Sequence, residues 1–268
     1  MEGERMKGTL IVLEGIDGSG KETQSALLEK KLRQEKREVM HVSFPDYDSP
    51  SSSLVKMYLK GDFGRDPSDV NPYAASLFYA VDRFASYRMK WKSFYEKGGI
   101  IIADRYTTSN MVHQMTKYED AEKREEFLSW LEKTEYEELG LPRPDLVILL
   151  DIPLSVSEGL VKKRALQGGS MDIHEQHLDY LKKCCGAYQE VWLETDFLYK
   201  RWKTPKHRGY WYRRGAGSSG SDEIVHRRKA GGILKEAVSY TLTYRAGLCL
   251  EDLPCRGSAL LPFLFNLL

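Results

Sequence analysis

The segment GIDGSGKET at residues 15–23 constrains the fold of this chain more than any other feature of the sequence. It follows a short apolar run, TLIVLE at 9–14, and it overlaps residues 21–35, which are rich in helix formers. This order predicts a strand, a loop and a helix. The glycine and lysine spacing fits the G-x-x-x-x-G-K pattern of a phosphate-binding loop. The context disfavours the alternative of a simple glycine turn with a surface lysine.

Phosphate binding by such a loop has a physical basis. Glycines let the backbone N–H groups point inward at an anion, and the positive end of the following helix adds to the attraction. Lys21 is expected to bridge the β- and γ-phosphates and to stabilise charge during phosphoryl transfer. The predicted ATP-binding residues are Gly15, Asp17, Gly18, Ser19, Gly20, Lys21, Glu22 and Thr23.

Glu22 departs from the loop pattern, which usually has serine or threonine there to give magnesium a hydroxyl ligand. Thr23 is the substitute hydroxyl, but its side chain points about 100° further round the helix. Either Glu22 faces the metal, or it faces solvent and interacts with the helix dipole. The second alternative is favoured because acids are common in the first turn of a helix.

Strand and helix patterns alternate along the first 150 residues. Further strands are predicted at 38–44, 99–104 and 145–151, and helices at 71–97 and, for the most part, 107–138. Near-continuous apolar strands indicate a sheet that is buried on both faces. The predicted fold class is therefore α/β, with a parallel sheet of about five strands, helices on both faces and ligands at the carboxyl ends of the strands.

The composition excludes several functional classes. Lysine and arginine number 40 against 39 aspartates and glutamates, so no global charge favours nucleic acid or membrane surfaces as partners. The N-terminus lacks the apolar core of a signal peptide, and no run of about 18 apolar residues occurs. The four cysteines lack the spacing of a zinc site. The expected location is the cytoplasm.

Five motifs occur in an order that resembles the thymidylate kinase family. They are EGIDGSGK at 14–21, FPDYDSP at 44–50, LFYAVDR at 77–83, DRYTTSN at 104–110 and PDLVILLD at 144–151. The resemblance covers residues 8–198. It implies a P-loop kinase fold with a short lid, ATP and dTMP as substrates, Mg²⁺ bound with ATP, and a homodimer.

Tyr79 and Arg83 are predicted to contact the acceptor. They lie four residues apart on one helix face, so an aromatic ring and a guanidinium could address the same ligand. In the family the corresponding residues stack on thymine and hydrogen-bond to it. The alternative is a half-buried helix face on which Arg83 pairs with Asp82 or another neighbour. Phe78 is expected to belong to the core.

Asp104 and Arg105 end a predicted strand at the ligand edge of the sheet. Arginine suits a monophosphate because its fork donates two parallel hydrogen bonds. By resemblance, Arg105 holds the acceptor phosphate, Asp104 organises the magnesium surroundings and Asn110 contacts the base. The alternative is an aspartate–arginine pair that merely ends a strand. Thr23 and Asp104 are the predicted metal-site residues.

The resemblance also places Asp17 near the deoxyribose and Phe44 and Pro45 at the acceptor pocket. Relatives often have an arginine after this pair that touches the acceptor phosphate, whereas this chain has Asp46. His113 is expected to be a packed or solvated residue. The predicted acceptor set is Asp17, Phe44, Pro45, Tyr79, Arg83, Arg105 and Asn110.

Residues 158–171 (EGLVKKRALQGGSM) resemble the lid that closes over ATP. Cations must meet the charge of the transferring phosphoryl group, and the phosphate-binding loop has no arginine. Arg164 is therefore the lid candidate, supported by Lys162 or Lys163, with a solvated basic patch as the alternative. The predicted catalytic residues are Lys21, Asp104, Arg105 and Arg164. Acidic positions after the lid, Asp172 and Glu175, and His174 between them are candidate acceptor contacts.

The patterning deteriorates beyond residue 198. We predict a kinase-like domain at 1–200 and an atypical segment at 201–268, which is basic, aromatic and rich in glycine and serine over 203–221. This segment is either poorly ordered, the product of a reading-frame change or an annotation error, or a genuine element that binds an anion. Two other functions stay open, a catalytically impaired nucleotide-binding protein and a kinase for another nucleoside monophosphate.

Overall fold

The computed structural model describes residues 7–166, 172–194, 199–202 and 210–212, in which six strands form one sheet. The strands are β1 (Thr9–Glu14), β2 (Val39–Ser43), β3 (Ile100–Asp104), β4 (Leu146–Leu150), β5 (Tyr199–Trp202) and β6 (Tyr210–Tyr212). Their order in the sheet is β2-β3-β1-β4-β5-β6. The first five are parallel, and β6 pairs antiparallel with β5. The predicted α/β fold with a parallel sheet is confirmed.

Helices connect the strands. They are α1 (Lys21–Gln34), α2 (Ser53–Lys60), α3 (Pro72–Ser86), α4 (Lys92–Glu96), α5 (Thr107–Met115), α6 (Ala121–Glu132), α7 (Leu154–Leu166) and α8 (Leu178–Glu194). The long helix predicted at 71–97 contains one π-helical turn, Tyr87–Trp91, between α3 and α4. The helical region predicted at 107–138 divides into α5, α6 and a second π-helical turn, Lys133–Glu138.

Side chains of β1 alternate between two apolar clusters. Leu10 and Val12 lie in one cluster, and Ile11 and Leu13 lie in the other, where they pack with Leu28 of α1. All five residues are fully buried. A strand that buries both sets of side chains lies inside a sheet covered on both faces, as the apolar runs predicted.

The central strands bring polar residues to one edge of the sheet. Leu13 of β1 lies in register with Asp104 of β3, so Glu14 and Asp104 end neighbouring strands on the same side. The glycine-rich loop follows β1 and the Arg105–Tyr106 segment follows β3, also on this side. The carboxyl edge therefore collects the predicted ligand-binding residues.

Two predicted boundaries differ from the observed elements. Residues 158–166 of the predicted lid belong to α7, and 167–171 lie outside the described residues. Strand β5 crosses the predicted domain boundary at residue 200 and extends the parallel sheet to Trp202. The hypotheses about the segment beyond β6 concern residues outside the described part and stay predictions.

Within the described ranges, no helix is long and apolar enough to cross a membrane.

Candidate active site

The phosphate-binding loop owes its shape to three glycines. Gly15, Gly18 and Gly20 have φ values of 148°, 72° and 83°, a backbone region that other residues rarely adopt. Gly20 is also the residue that precedes the first turn of α1. The loop therefore turns back over the helix N-terminus, where unpaired backbone N–H groups favour an anion.

Lys21 begins α1 and is buried under this loop. Its Nζ donates to the Ile16 carbonyl oxygen at 2.9 Å and lies 3.5 Å from Ser19 Oγ. Burial and the Arg105 guanidinium lower the pKa of Lys21 to about 8. The ammonium is thus held by its own loop at the N-terminus of α1.

Gly15→Ala should weaken ATP binding by about tenfold or more, because a non-glycine residue with φ near 148° is strained by about 1–3 kcal/mol. A Cβ at this position would also lie 2.7 Å from Ser19 Oγ and 2.8 Å from the Leu150 carbonyl oxygen. Isothermal titration with ATP measures the change. Gly186→Ala is the matched control, since its Cβ meets nothing within 4 Å on α8 and its affinity should equal that of the parent. Equal affinity in both variants would contradict this account of the loop.

Arg105 connects the phosphate-binding loop with the end of β3. It has a left-handed backbone with φ of 67°, and its Nη2 forms an ion pair with Asp17 Oδ1 inside the loop. Its Nη1 donates to the Gly15 carbonyl oxygen at 3.2 Å and to Ser109 Oγ at 3.0 Å. Although burial acts in the opposite direction, Arg105 holds the pKa of Asp17 well below its usual value.

Glu14 fixes the start of α5, a role that the sequence did not reveal. Its fully buried carboxylate accepts hydrogen bonds from the Tyr106 N–H at 3.0 Å, the Ser109 N–H at 2.9 Å and Ser109 Oγ at 2.6 Å. An anion at a helix N-terminus is stabilised by the helix dipole. Burial nevertheless raises the pKa of Glu14. The carboxylate thus ties the phosphate-binding loop to the segment that carries Arg105.

A cleft of about 530 Å³, a volume that includes space open to solvent, lies beside the loop at the carboxyl edge of the sheet. Its lining includes every residue of the predicted acceptor set, brought together from four segments of the chain. The other lining residues are Tyr47, Leu59, Tyr106, Ser109, His113, Asp172 and His174. A concave site in which aromatic side chains and convergent polar groups meet is typical of small-molecule binding.

Arg83 lines the cleft but does not pair with Asp82, the first partner considered from the sequence. It forms a buried ion pair with Glu135, whose Oε2 accepts from Arg83 Nε at 2.7 Å. Asp82 instead accepts from the Asp46 N–H at 2.8 Å. The difference arises because Asp82 projects toward the loop after β2, while Arg83 projects toward the turn after α6. Tyr79, also in the cleft, packs edge to face with Tyr58.

Two histidines of the cleft stack on each other. The rings of His113 and His174 lie 5.0 Å apart at 17°. Burial and the neighbouring Arg105 lower the pKa of His113 to about 3, and burial and His113 lower the pKa of His174 well below its usual value. Both imidazoles are therefore neutral at pH 7. The sequence predicted that His113 is a packed or solvated residue, and the structure shows it packed, with its side chain also lining the cleft.

Asp46, which stands where relatives often have arginine, is committed to protein contacts. Its Oδ2 accepts from Lys90 Nζ at 2.5 Å, and its N–H is held by Asp82. Tyr47 follows and lines the cleft. Asp172 also lies there and accepts from the N–H groups of His174 and Glu175, both at 2.9 Å. Burial and the Asp17 carboxylate raise the pKa of Asp172.

The remaining predicted site residues are spread around the loop. Glu22 and Thr23 are exposed on α1, and Asp104 is 7 % exposed at the end of β3. Lys162 is exposed on α7, as is its neighbour Lys163. Arg164 lies on the same helix, but its side chain falls outside the described part of the structure. No group of three or more histidine, cysteine or acidic side chains suited to a metal occurs among the described residues.

Comparisons with known proteins agree with this architecture. The family model described as thymidylate kinase matches residues 13–201. A probable thymidylate kinase of Pyrococcus horikoshii is 34 % identical over 159 residues, which are 59 % of this chain and 72 % of that protein. A thymidylate kinase of Mycobacterium tuberculosis is 28 % identical over 186 residues, 68 % of this chain and 85 % of that protein.

A solved structure, that of thymidylate kinase from Candida albicans, is similar in fold with a TM-score of 0.52 and 24 % sequence identity. The similarity covers 69 % of this chain and 78 % of that one. Because the family model spans most of the chain and includes the loop, the cleft and β2–β4, the chain belongs to the thymidylate kinase family.

Proposed function

We propose that this chain transfers the γ-phosphoryl group of ATP to dTMP and forms dTDP and ADP. Membership of the thymidylate kinase family supports this reaction. The observation that carries the proposal is the position of Arg105, which bonds to Asp17 and Gly15 of the phosphate-binding loop and also lines the cleft. A phosphate in the cleft is thereby adjacent to the loop that holds the donor.

The mechanism requires positioning and charge, without a protein nucleophile. Lys21 neutralises the β- and γ-phosphates, and Arg105 orients the acceptor phosphate for in-line attack on the γ-phosphorus. Buried walls strengthen both interactions because they exclude water. Arg164 is the proposed lid cation that meets the transferring group. Of these groups, Lys21 and Arg105 are held by hydrogen bonds at the loop before transfer.

Magnesium is the proposed cofactor, bound with ATP. Asp104 fits a hard cation, because its carboxylate is buried and its Oδ1 has no hydrogen-bond partner among the described residues. When bound, the ion would offset part of the negative charge of the phosphates. Asp104 would hold it directly or through water, with the Thr23 hydroxyl as the second candidate.

Glu22→Ser should leave the magnesium dependence of turnover nearly unchanged or slightly improved, because Glu22 is exposed on the first turn of α1. Its carboxylate there interacts with the helix dipole, a contribution of about 0.3–1 kcal/mol. The measurement is initial rate against magnesium concentration at fixed ATP. A rise of about tenfold or more in the magnesium required would show that the carboxylate is a metal ligand.

A catalytically impaired nucleotide-binding protein is the alternative function, suggested by Glu22, by Asp46 and by the atypical segment 201–268. Calorimetry and product analysis on one preparation separate the two. The proposal expects dTMP and ATP to bind and dTDP and ADP to form in equal amounts. Binding of both nucleotides with no dTDP would establish the alternative.

A homodimer is the proposed assembly. Leu54 and Met57 on α2 and Leu77 and Val81 on α3 are all 40 to 51 % exposed, and the two helices contact each other. Apolar side chains exposed together favour association with a second copy. Light scattering on the purified chain tests this, and a monomeric mass at micromolar concentration would contradict it. The cytoplasmic location stays a prediction.

A further inference from the structure

A buried carboxylate outside the cleft joins two residues that line it. Glu135, in the π-helical turn after α6, is fully buried and is not part of the cleft lining. It accepts from both Nε and Nη2 of Arg83 and from Thr107 Oγ1 at 2.9 Å. Asn110 Nδ2 lies 3.4 Å from its other oxygen. One side chain therefore sets the orientation of both Arg83 and Asn110.

The amide of Asn110 can take only one orientation in these surroundings. Its Nδ2 donates to the Ser76 carbonyl oxygen at 3.3 Å and faces the Glu135 carboxylate. Both neighbours are acceptors only, so the reversed amide would place its oxygen against two other oxygens. Asn110 Oδ1 remains buried with no hydrogen-bond partner among the described residues. Asn110 therefore presents an acceptor to a ligand in the cleft.

The guanidinium of Arg83 is fixed in the same way. Nε and Nη2 are bound to Glu135, so Nη1 is the nitrogen left to address the cleft that Arg83 lines. A guanidinium can only donate. The wall of the cleft formed by Arg83 and Asn110 thus offers one donor, from Arg83, and one acceptor, from Asn110. Glu135 determines this arrangement because it accepts from Nε and Nη2 of Arg83 and from Nδ2 of Asn110.

We propose that Glu135 is a positioning residue that makes the cleft select bases with a keto oxygen beside a ring N–H. The inference rests on the proposed function, since it concerns the base of the acceptor. Thymine matches the wall, because its O4 accepts from Arg83 and its N3–H donates to Asn110. Cytosine carries an amino group and an unprotonated N3 at these positions. A donor would then face the Arg83 donor, and an acceptor would face the Asn110 acceptor.

The test compares dTMP with 5-methyl-dCMP, which differ only at this edge of the base. Glu135→Gln removes the charge that fixes Arg83 and supplies an N–H₂ group that lets the Asn110 amide turn over. The ratio of kcat/KM for dTMP to that for 5-methyl-dCMP should fall by about tenfold or more, since one unpaired buried hydrogen-bonding group accounts for a factor of that order. The KM for ATP should stay unchanged. An equal loss for both acceptors, or an unchanged ratio, would overturn the proposal.

Thr107→Val is the milder variant, because removing a buried ion-pair partner can prevent folding. It removes one hydrogen bond to Glu135, keeps the ion pair and conserves the side-chain volume. The ratio should fall in the same direction, by about two- to fivefold. Thr108→Val is the matched control, since this adjacent hydroxyl is buried with no partner among the described residues and does not line the cleft. A ratio unchanged in Thr107→Val, or lowered equally in Thr108→Val, would contradict the role of Glu135.

Binding measurements separate this proposal from the proposed function. If the parent chain forms no dTDP, the proposed function is contradicted. The dissociation constants of dTMP and 5-methyl-dCMP still test the positioning role of Glu135. The ratio of the affinity for dTMP to that for 5-methyl-dCMP should then fall in the two variants by the same factors as given for kcat/KM. Parent selectivity that persists in both Glu135→Gln and Thr107→Val would overturn the positioning role even where turnover is normal.

Discussion

Lys21→Ala should lower kcat by about a hundredfold to a thousandfold, the usual effect of removing one preorganised group that stabilises transition-state charge. Lys21 lies at the N-terminus of α1 with its ammonium directed back into the loop. No other lysine belongs to the loop, and the neighbouring cation, Arg105, is already bound to Asp17 and to the Gly15 carbonyl oxygen. The ADP-release rate at saturating ATP and dTMP measures the loss.

A second variant is the control for misfolding and for the loss of a positive charge from α1. Lys30→Ala removes an exposed lysine from the same helix and should leave the rate unchanged. Thermal unfolding of both variants should occur near the parent temperature, because the hydrogen bonds of Lys21 within the described residues are to its own loop. A rate near the parent value in Lys21→Ala would remove this residue from the mechanism.

Arg105→Ala should lower kcat/KM for dTMP by about a hundredfold or more, because it removes charge-assisted hydrogen bonds that contribute about 1.5–3 kcal/mol each. The loss is increased by Asp17, whose carboxylate would face the acceptor phosphate without its partner. ATP affinity should change much less. Steady-state kinetics with dTMP and calorimetry with ATP separate the two effects.

Two further variants sharpen this result. Arg105→Lys keeps the charge but loses the planar fork, so its loss should be intermediate. Arg37→Ala removes an exposed arginine after α1 and should behave as the parent. Equal weakening of dTMP and ATP in Arg105→Ala would contradict an acceptor-side role.

The order of the elements and the central sheet could be predicted from the sequence. The apolar runs that became β1, β3 and β4 are continuous because both faces of these strands are covered, which is a local signal of a parallel sheet. The boundary at residue 200 was placed inside β5 because the pattern around TDFLYKRW is short and mixed. A strand of four residues carries little periodic signal.

The site was predictable where its residues form contiguous motifs. The loop around Lys21 and the Asp104–Arg105 pair are local patterns. Glu135 is 52 residues from Arg83, and no local pattern connects the two, because the pair is created by packing of α3 against the turn after α6. His113 and His174 also meet only in the folded chain. Long-range pairs of this kind require a structure.

The most direct test of the central claim is a coupled ADP-release assay with ATP and five acceptors, dTMP, dUMP, dCMP, UMP and AMP. If this chain is a dTMP kinase, turnover should depend on the acceptor, with the highest kcat/KM for dTMP and much lower values for dCMP and AMP, whose bases present an amino group to Arg83. Loss of the dTMP signal in Lys21→Ala would exclude a contaminating kinase. A higher kcat/KM for AMP or dCMP than for dTMP, or ADP release that no acceptor stimulates, would contradict it.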